Sequence, residues 1–149
     1  MQTTDRRFTK IDIDDFELEG LLEIPSTDGP PPCIVICHPN PRNGGNMFNN
    51  VVEGVSQSLN SNGIATMRFN FRGVGKSSGE FGDGTSEVSD TIRILEQTSV
   101  LNSIDGSRIG VMGYSFGAGI ALEATIGSDT VSYTHLRAHE TRHEVVCRL

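Results

Sequence analysis

Positive charge, cysteine and long hydrophobic runs are all scarce in this sequence. With 12 lysines and arginines against 19 acidic residues, the formal net charge of the 149-residue chain is −7. Nucleic-acid backbones and anionic membranes attract basic surfaces, so neither is expected as a partner. No apolar run approaches the length that crosses a bilayer, and Met1 is not followed by an apolar signal core.

The three cysteines do not indicate a disulfide framework. Cys33 and Cys37 lie in one short apolar run, CIVIC, where a strand places both on the same face but too far apart to pair. We therefore expect buried free thiols and a reducing, cytoplasmic environment. The length and the hydrophobic content of 36% suit one folded domain.

Strand and helix signals alternate along most of the chain. Strand patterns occur at residues 8–13, 16–24, 33–37 and 64–71. Apolar side chains recur at helical spacing at residues 47–62 and 86–98. Two hairpin strands followed by alternating helices and strands predict the α/β class, with a mostly parallel sheet, an antiparallel N-terminal hairpin and helices on both faces.

The most informative motif is the pentapeptide GYSFG at residues 113–117. It follows a short apolar strand signal at 108–112 and precedes a helical pattern. Strand, G-x-S-x-G and helix in this order predict a nucleophile elbow, in which Ser115 projects from a sharp turn and Gly113 and Gly117 relieve the crowding of the backbone. An ordinary glycine-rich turn is the structural alternative.

Three motifs together carry a family resemblance: CHPNPRNGGNM at 37–47, RFNFRGVGKS at 68–77 and GYSFG at 113–117. In this order they resemble the α/β-hydrolase superfamily, and within it the small lidless bacterial hydrolases related to dienelactone hydrolase. The likeness spans residues 8–129. It implies that residues 1–130 form the N-terminal two-thirds of an α/β-hydrolase fold, and that residues 73–79 form a structural loop beside the site.

The elbow implies a serine nucleophile with an oxyanion hole. Ser115 is expected to attack an acyl carbon, and the backbone N–H of Phe116, directly after it, is expected to be one oxyanion donor. The second donor should come from the loop after CIVIC, where both prolines lack an N–H and leave His38 or Asn40. The resemblance favours Asn40, and we expect His38 to hold the loop by hydrogen bonds rather than to act as the base.

The catalytic acid and histidine are not identified in the chain. In this superfamily they follow the serine, the acid first and the histidine last. After the elbow helix only Glu123, Asp129 and the tail remain, and neither carboxylate follows a strand. We therefore expect the natural gene to continue past residue 129 and the truncated fragment to be inactive. Loss of the neighbouring strands would also expose an apolar edge of the elbow strand and make the fragment poorly soluble.

The tail, residues 131–149, holds three of the four histidines. VSYTHLRAHET at 131–141 and VCRL at 146–149 resemble translated sequencing-adapter read-through. The tail is therefore predicted to be non-native, and a genuine tail is the alternative. The match to H-E-x-x-H at His139 and His143 is then coincidental, so no metal and no other cofactor is expected.

Three functions stand as hypotheses. The first is a serine hydrolase whose parent protein cleaves a small-molecule ester, thioester or lactone. The second is a non-catalytic binding or scaffold protein on the same fold, which we expect if the complete gene lacks a late acid and histidine. The third is a zinc hydrolase that uses the tail histidines and must therefore bind zinc.

Overall fold

The computed structural model describes residues 3–128, 136–137 and 145–148 of the chain. Its strands are β1 Thr4–Ile13, β2 Phe16–Pro25, β3 Cys33–Cys37, β4 Ala65–Phe69, β5 Ile109–Tyr114, β6 Leu136–Arg137 and β7 Val145–Arg148. Its α-helices are α1 Asn50–Ser61, α2 Thr85–Ser99 and α3 Phe116–Gly127, and a 3₁₀ turn spans Pro41–Asn43. Every strand and helix predicted before residue 128 is present, with its ends moved by a few residues.

One sheet contains all the described strands, in the order β1-β2-β4-β3-β5-β7-β6. β1 and β2 form an antiparallel hairpin, β2 pairs antiparallel with β4, and β3 lies between β4 and β5 and is parallel to both. The α/β class and the antiparallel N-terminal hairpin are confirmed, and the sheet as a whole is mixed. Because parallel strands end at the same edge, the loops after β3, β4 and β5 come together there.

Helices pack on both faces of the sheet, as predicted. On one face α1 places Val52, Val55 and Leu59 against alternate residues of β3. On the other face α2 and α3 close a larger apolar cluster, to which they contribute Ile94, Leu95, Ile120, Ala121 and Ala124. Successive residues of β3 enter the two clusters in turn and all are buried. This explains why the strand is apolar throughout its length.

Both cysteines of β3 are buried free thiols, as predicted. Burial raises the pKa of Cys33 and that of Cys37 to about 12, because a buried thiolate loses its hydration. Both groups are therefore protonated at neutral pH and chemically unreactive.

The loop at 73–79 connects β4 to the segment before α2 and is attached to β2. Ser77 Oγ accepts the N–H of Glu19 and donates to the carbonyl of Asn70, both at 2.8 Å. Glu19 Oε2 accepts the N–H of Lys76, also at 2.8 Å. The structural function expected of this loop agrees with these contacts. Each helix in the described part of the chain is too short or too polar to cross a membrane.

The exposed edge predicted on the elbow strand is not observed. Val145–Arg148 pairs antiparallel with β5, with Tyr114 opposite Val145 and Val111 opposite Arg148. β6 pairs in turn with β7, so β5 has a neighbouring strand on each side. The prediction was wrong because it left the tail out of the fold. That residues 131–149 are non-native stays a prediction.

Candidate active site

The chain turns sharply between β5 and α3, and Ser115 lies at the turn. Its φ is 58° and its ψ is −119°, whereas residues with a side chain rarely adopt a positive φ. Such a conformation costs about 1–3 kcal/mol and persists only where the surrounding structure holds it. Within the described part of the chain, the Ser115 hydroxyl has no hydrogen-bond partner. The turn therefore presents a free hydroxyl at the carboxyl edge of the sheet.

Gly113 and Gly117 allow this turn because main-chain atoms approach them closely. A Cβ atom at Gly113 would collide with the carbonyl of Gly117. A Cβ atom at Gly117 would collide with the carbonyls of Cys37 and His38. The first contact closes the turn on itself, and the second packs the start of α3 against the end of β3. The crowding that the sequence motif predicts is present at both positions.

α3 begins at Phe116, directly after Ser115. The first N–H groups of a helix have no partner within the helix, and the helix dipole adds partial positive charge there. The first turn of α3 contains no acidic residue that would neutralise this charge. The N–H of Phe116 therefore lies at an end of the helix that is suited to binding an anion.

The loop after β3 holds Asn40 with its N–H unengaged. The side-chain Oδ1 of Asn40 accepts the N–H of Arg42 at 2.9 Å, which caps the 3₁₀ turn. Its carbonyl accepts the N–H groups of Asn43 and Gly45, both at 3.0 Å. Among the described residues, the N–H of Asn40 itself donates no hydrogen bond. The oxygens of Asn40 thus hold the loop in shape and leave one main-chain donor free.

A cleft of about 220 Å³ joins the two segments. It is lined by Pro39, Asn40, Asn43, Gly44, Gly45, Asn49, Tyr114 and Ser115, none of which is charged. Larger cavities of about 420 and 560 Å³ lie along the β1–β2 hairpin and are not lined by Ser115. The structure therefore brings Ser115 and Asn40 into one site, and Phe116 follows at the helix end that borders it.

His38 is fully buried beneath this loop, and both of its ring nitrogens are engaged. Nε2 accepts the N–H of Phe71 at 3.1 Å, so the ring proton is on Nδ1, which donates to the carbonyl of Pro39 at 2.7 Å. Burial lowers the pKa of His38 to about 4. A neutral ring without a free nitrogen is no general base for Ser115. The loop-holding function predicted for His38 agrees with these contacts.

The buried, neutral His38 leads to a prediction about stability and pH. The imidazole pKa is 6.5 when unperturbed and about 4 in the folded chain, so the unfolded chain takes up the proton more readily. The stability that depends on the neutral ring is complete above pH 6.5 and is lost as the pH falls towards 4. Between pH 7 and pH 5 we expect His38 to lower the free energy of unfolding by about 2 kcal/mol.

Urea denaturation at the two pH values measures this loss in the wild-type chain and in His38→Gln. Glutamine keeps an amide oxygen for the N–H of Phe71 but does not titrate. The difference between pH 7 and pH 5 should therefore shrink by about 2 kcal/mol in the variant. An unchanged difference would show that His38 does not remain neutral in the fold.

A base and an orienting acid for Ser115 are not found among the described residues, where His38 is the only histidine. Glu123 is exposed on α3, about 12 Å along the helix axis from the turn. Asp129 and the tail histidines lie outside the described residues, as does the H-E-x-x-H segment. Within the part that the structure describes, no cluster of potential ligands could hold a metal ion.

Sequence reasoning missed the polar side chains that support the site from the neighbouring strand end. Arg72 forms a bidentate ion pair with Asp90 of α2, at 2.7 and 2.6 Å, and its guanidinium lies over the ring of Phe16. Asn70 Oδ1 accepts the N–H of Met47, at the far end of the loop that contains Asn40. The sequence signal that could have indicated these contacts is the pair of polar residues, Asn70 and Arg72, that follows the strand β4.

Comparison with known proteins gives a family match and a curated relative. The model of a family described as serine aminopeptidase, S33 matches residues 30–133. An uncharacterised protein of Rickettsia prowazekii (strain Madrid E) is 36% identical over 102 residues, which are 68% of this chain and 42% of that protein.

Solved structures give matches of the same kind. An α/β serine hydrolase homologue from Coxiella burnetii is 35% identical with a TM-score of 0.74, and the match covers 83% of this chain and 58% of that one. An α/β serine hydrolase without a lid from Xanthomonas campestris is 30% identical with a TM-score of 0.74, covering 83% and 56% of the two chains. The chain thus spans less than two-thirds of the length of each of these relatives.

Proposed function

Since the chain belongs to the family described as serine aminopeptidase, S33, within the α/β-hydrolase superfamily, we propose that its chemistry is hydrolysis of a carboxylic ester, thioester or lactone through an acyl-enzyme on Ser115. The observation that carries the proposal is the turn between β5 and α3. There a serine with a positive φ shares one cleft with Asn40, and its hydroxyl is unengaged within the described residues. Backbone strain of this kind is concentrated at functional sites.

In the proposed reaction, Ser115 Oγ attacks the acyl carbon and the carbonyl oxygen becomes an oxyanion. We assign the N–H groups of Phe116 and Asn40 as the donors that bind this oxyanion. One such donor typically contributes roughly 3 kcal/mol of transition-state stabilisation. The serine proton passes to a base, the alcohol or thiol leaves, and water then hydrolyses the acyl-enzyme.

We further propose that the 149-residue chain by itself does not turn over an ester. No described residue supplies the base, because both ring nitrogens of His38 are engaged. A serine nucleophile without its base keeps only the residual rate that the oxyanion hole and substrate binding provide. The relatives are longer than the region that matches this chain, and we place the acid and histidine of the whole protein in that additional length.

The cleft favours an uncharged small-molecule ester over a peptide with a free N-terminus. An aminopeptidase must hold the α-ammonium group of its substrate, and a buried charge needs a partner. The described lining of the cleft has amide groups, from Asn40, Asn43 and Asn49, but no carboxylate. We therefore propose an ester, thioester or lactone as the substrate. The buried thiols support a cytoplasmic location.

A non-catalytic binding or scaffold protein is the second candidate. One observation favours it, namely that the only described histidine holds the loop and is not free to act as a base. On that reading Ser115 is no more reactive than an ordinary exposed serine. A direct measurement of its reactivity therefore separates the two functions.

Labelling with a fluorophosphonate in the presence of free imidazole tests the proposal on this chain. Imidazole stands in for the base that the described residues do not supply and takes the hydroxyl proton, while the bond from Ser115 Oγ to phosphorus forms and the phosphorus–fluorine bond breaks to release fluoride. We expect labelling at Ser115, detected by peptide mass spectrometry, at a rate that rises in proportion to the imidazole concentration. Ser115→Ala should not be labelled.

Ser89→Ala is the matched control, since Ser89 is an exposed serine on α2. It should be labelled at the rate of the wild-type chain, and urea-unfolded wild type should lose the site selectivity. Equal labelling of the wild type and Ser115→Ala would rule out an activated serine and favour the scaffold function.

A further inference from the structure

The two proposed oxyanion donors, the N–H groups of Asn40 and Phe116, come from segments that are distant in the sequence. Because these donors belong to the proposed reaction, this inference rests on the proposed function. Asn40 precedes the 3₁₀ turn after β3, and Phe116 begins α3. No covalent link sets the distance between their N–H groups. A misplacement of about 1 Å in a catalytic arrangement can lower the rate roughly 100-fold. Main-chain contacts of β3 with Gly113 and Gly117 fix the chain as far as His38. From His38 to Asn40, side-chain contacts must hold the loop at a fixed distance from the helix.

We propose that three aromatic rings, Phe71, Phe81 and Phe116, set this distance; we call them the aromatic bridge. Phe116 is the central ring. Its centroid lies 6.0 Å from that of Phe71 and 5.6 Å from that of Phe81, at interplanar angles of 89° and 64°. Edge-to-face contacts of this kind are directional and orient the rings as well as burying them. The bridge thus connects Phe116, the residue after the nucleophile, to Phe71 on one side and to Phe81 on the other.

His38 attaches the loop to the first end of the bridge. Its ring centroid lies 4.4 Å from that of Phe71, and its Nε2 accepts the N–H of the same residue. One side chain therefore makes both a ring contact and a hydrogen bond to Phe71. This fixes the position of the chain two residues before Asn40.

Arg42 attaches the loop to the second end of the bridge. Its guanidinium carbon lies 5.7 Å from the centroid of Phe81, which is a cation–π distance. Among the described residues, the Arg42 guanidinium forms no ion pair and no hydrogen bond. Its position therefore depends on the ring. Since Arg42 lies two residues after Asn40, the N–H of Asn40 is held from both sides.

Phe81 packs against the core and also makes two contacts that core packing alone does not require. It is only partly buried and lies in the loop between β4 and α2, outside every strand and helix. The next residue, Gly82, donates its N–H to Glu87 Oε1 at 2.9 Å, which anchors this loop to α2. An apolar side chain of any shape would serve for packing at such a position. A cation–π contact with Arg42 and an edge-to-face contact with Phe116 both require an aromatic ring.

The experiment compares Phe81→Leu with Phe81→Tyr in the imidazole-assisted labelling of Ser115. At a fixed imidazole concentration, loss of the ring should lower the maximal labelling rate about tenfold. The fluorophosphonate concentration that gives the half-maximal rate should stay unchanged, because only stabilisation of the developing negative charge is lost. The tyrosine variant keeps the ring and should retain the wild-type rate. Arg42→Gln should lower the rate about threefold. Phe48→Leu removes an exposed ring outside the bridge and should have no effect.

Amide hydrogen exchange at Asn43 and Gly45 gives a second measurement, which needs no reactive serine. Both N–H groups donate to the carbonyl of Asn40 and therefore report the order of the loop. Exchange should be about tenfold faster in Phe81→Leu and unchanged in Phe48→Leu. A labelling rate within twofold of wild type in Phe81→Leu, or unchanged exchange, would overturn the bridge. Absence of labelling in the wild type would instead overturn the proposed function, while exchange still decides whether the rings hold the loop.

Discussion

Replacing Gly117 by alanine is expected to lower the free energy of unfolding by about 3 kcal/mol or more, at or above the upper end of the usual range for an overpacked site. The added Cβ would meet the carbonyl groups of Cys37 and His38, which are main-chain atoms rather than the ends of flexible side chains. Cys37 pairs with Gly113 across β3 and β5, so its carbonyl cannot retreat without disturbing the sheet. α3 must then move away from β3, which also displaces the Phe116 N–H from Asn40.

Gly119→Ala is the matched control, two residues further along the same helix. A Cβ at Gly119 meets no atom within 4 Å, and alanine is the better helix former by about 1 kcal/mol. Urea denaturation should therefore find Gly119→Ala at least as stable as the wild type and Gly117→Ala strongly destabilised or unfolded. Equal midpoints for the two variants would show that α3 does not pack on β3 as closely as the structure indicates.

The parallel core and the sharp turn could be predicted because their signals are local. β3 has the predicted ends, since an apolar run between prolines and a polar loop has little freedom to shift. The turn at Ser115 follows from glycines two positions on either side of it, where the structure has no room for a Cβ. In both cases neighbouring residues in the chain determine the geometry, so a pattern within one segment is sufficient.

The start of α1 shows why local patterns have a limit. Apolar spacing placed it at Met47, whereas the helix begins at Asn50. Asn49 Oδ1 accepts the N–H groups of Val51 and Val52, at 2.9 and 3.3 Å, and so caps the helix. Met47 is instead held by Asn70, at the end of a strand that comes later in the chain. That interaction is tertiary and has no signature in the spacing of apolar residues.

The residues of the candidate site could likewise be predicted only in part. The family resemblance led to Asn40, and the structure brings Asn40 into the cleft with Ser115. The contacts that hold it there could not be predicted, because His38 and Arg42 reach rings from two separate later segments. The pairing of β7 with β5 was also beyond reach, since the tail was treated as unrelated to the fold.

Removing the carboxylate of Glu23 is expected to lower the free energy of unfolding by about 3–5 kcal/mol. Glu23 on β2 and Arg68 on β4 form an ion pair of 2.6 Å, with side chains only 7% and 3% exposed. Ser56 Oγ on α1 also donates to Glu23 Oε1, at 2.9 Å. In Glu23→Ala the guanidinium stays buried and keeps only a longer ion pair of 3.6 Å with Glu53, whose side chain is 42% exposed. A buried charge that loses its main partner is among the most destabilising changes a fold can undergo.

Two further variants isolate the cause. Glu17→Ala breaks an exposed ion pair with Lys10, whose side chains are 53% and 81% exposed, and should cost less than about 1 kcal/mol. Glu23→Ala combined with Arg68→Met removes the buried charge that has lost its main partner and should be more stable than Glu23→Ala alone. Chemical denaturation of the four proteins gives the comparison. If Glu23→Ala cost no more than Glu17→Ala, the buried charge would not be the cause of the loss.

Loss of Glu23 should also reach the proposed site, because Arg68 holds the loop that contains Asn40. Arg68 Nη1 donates to the carbonyl of Met47 at 3.1 Å, and Asn70 accepts the N–H of the same residue. The loop begins at His38, directly after β3, and ends at Met47. Without Glu23 the buried guanidinium keeps only Glu53, at 3.6 Å, as a charged partner among the described residues, and its hydrogen bond to the Met47 carbonyl is held less firmly. We therefore expect slower labelling of Ser115 in Glu23→Ala even under conditions where the chain is folded, and an unchanged rate in Glu17→Ala. An unchanged rate in both variants would mean that the aromatic bridge positions the loop without Arg68.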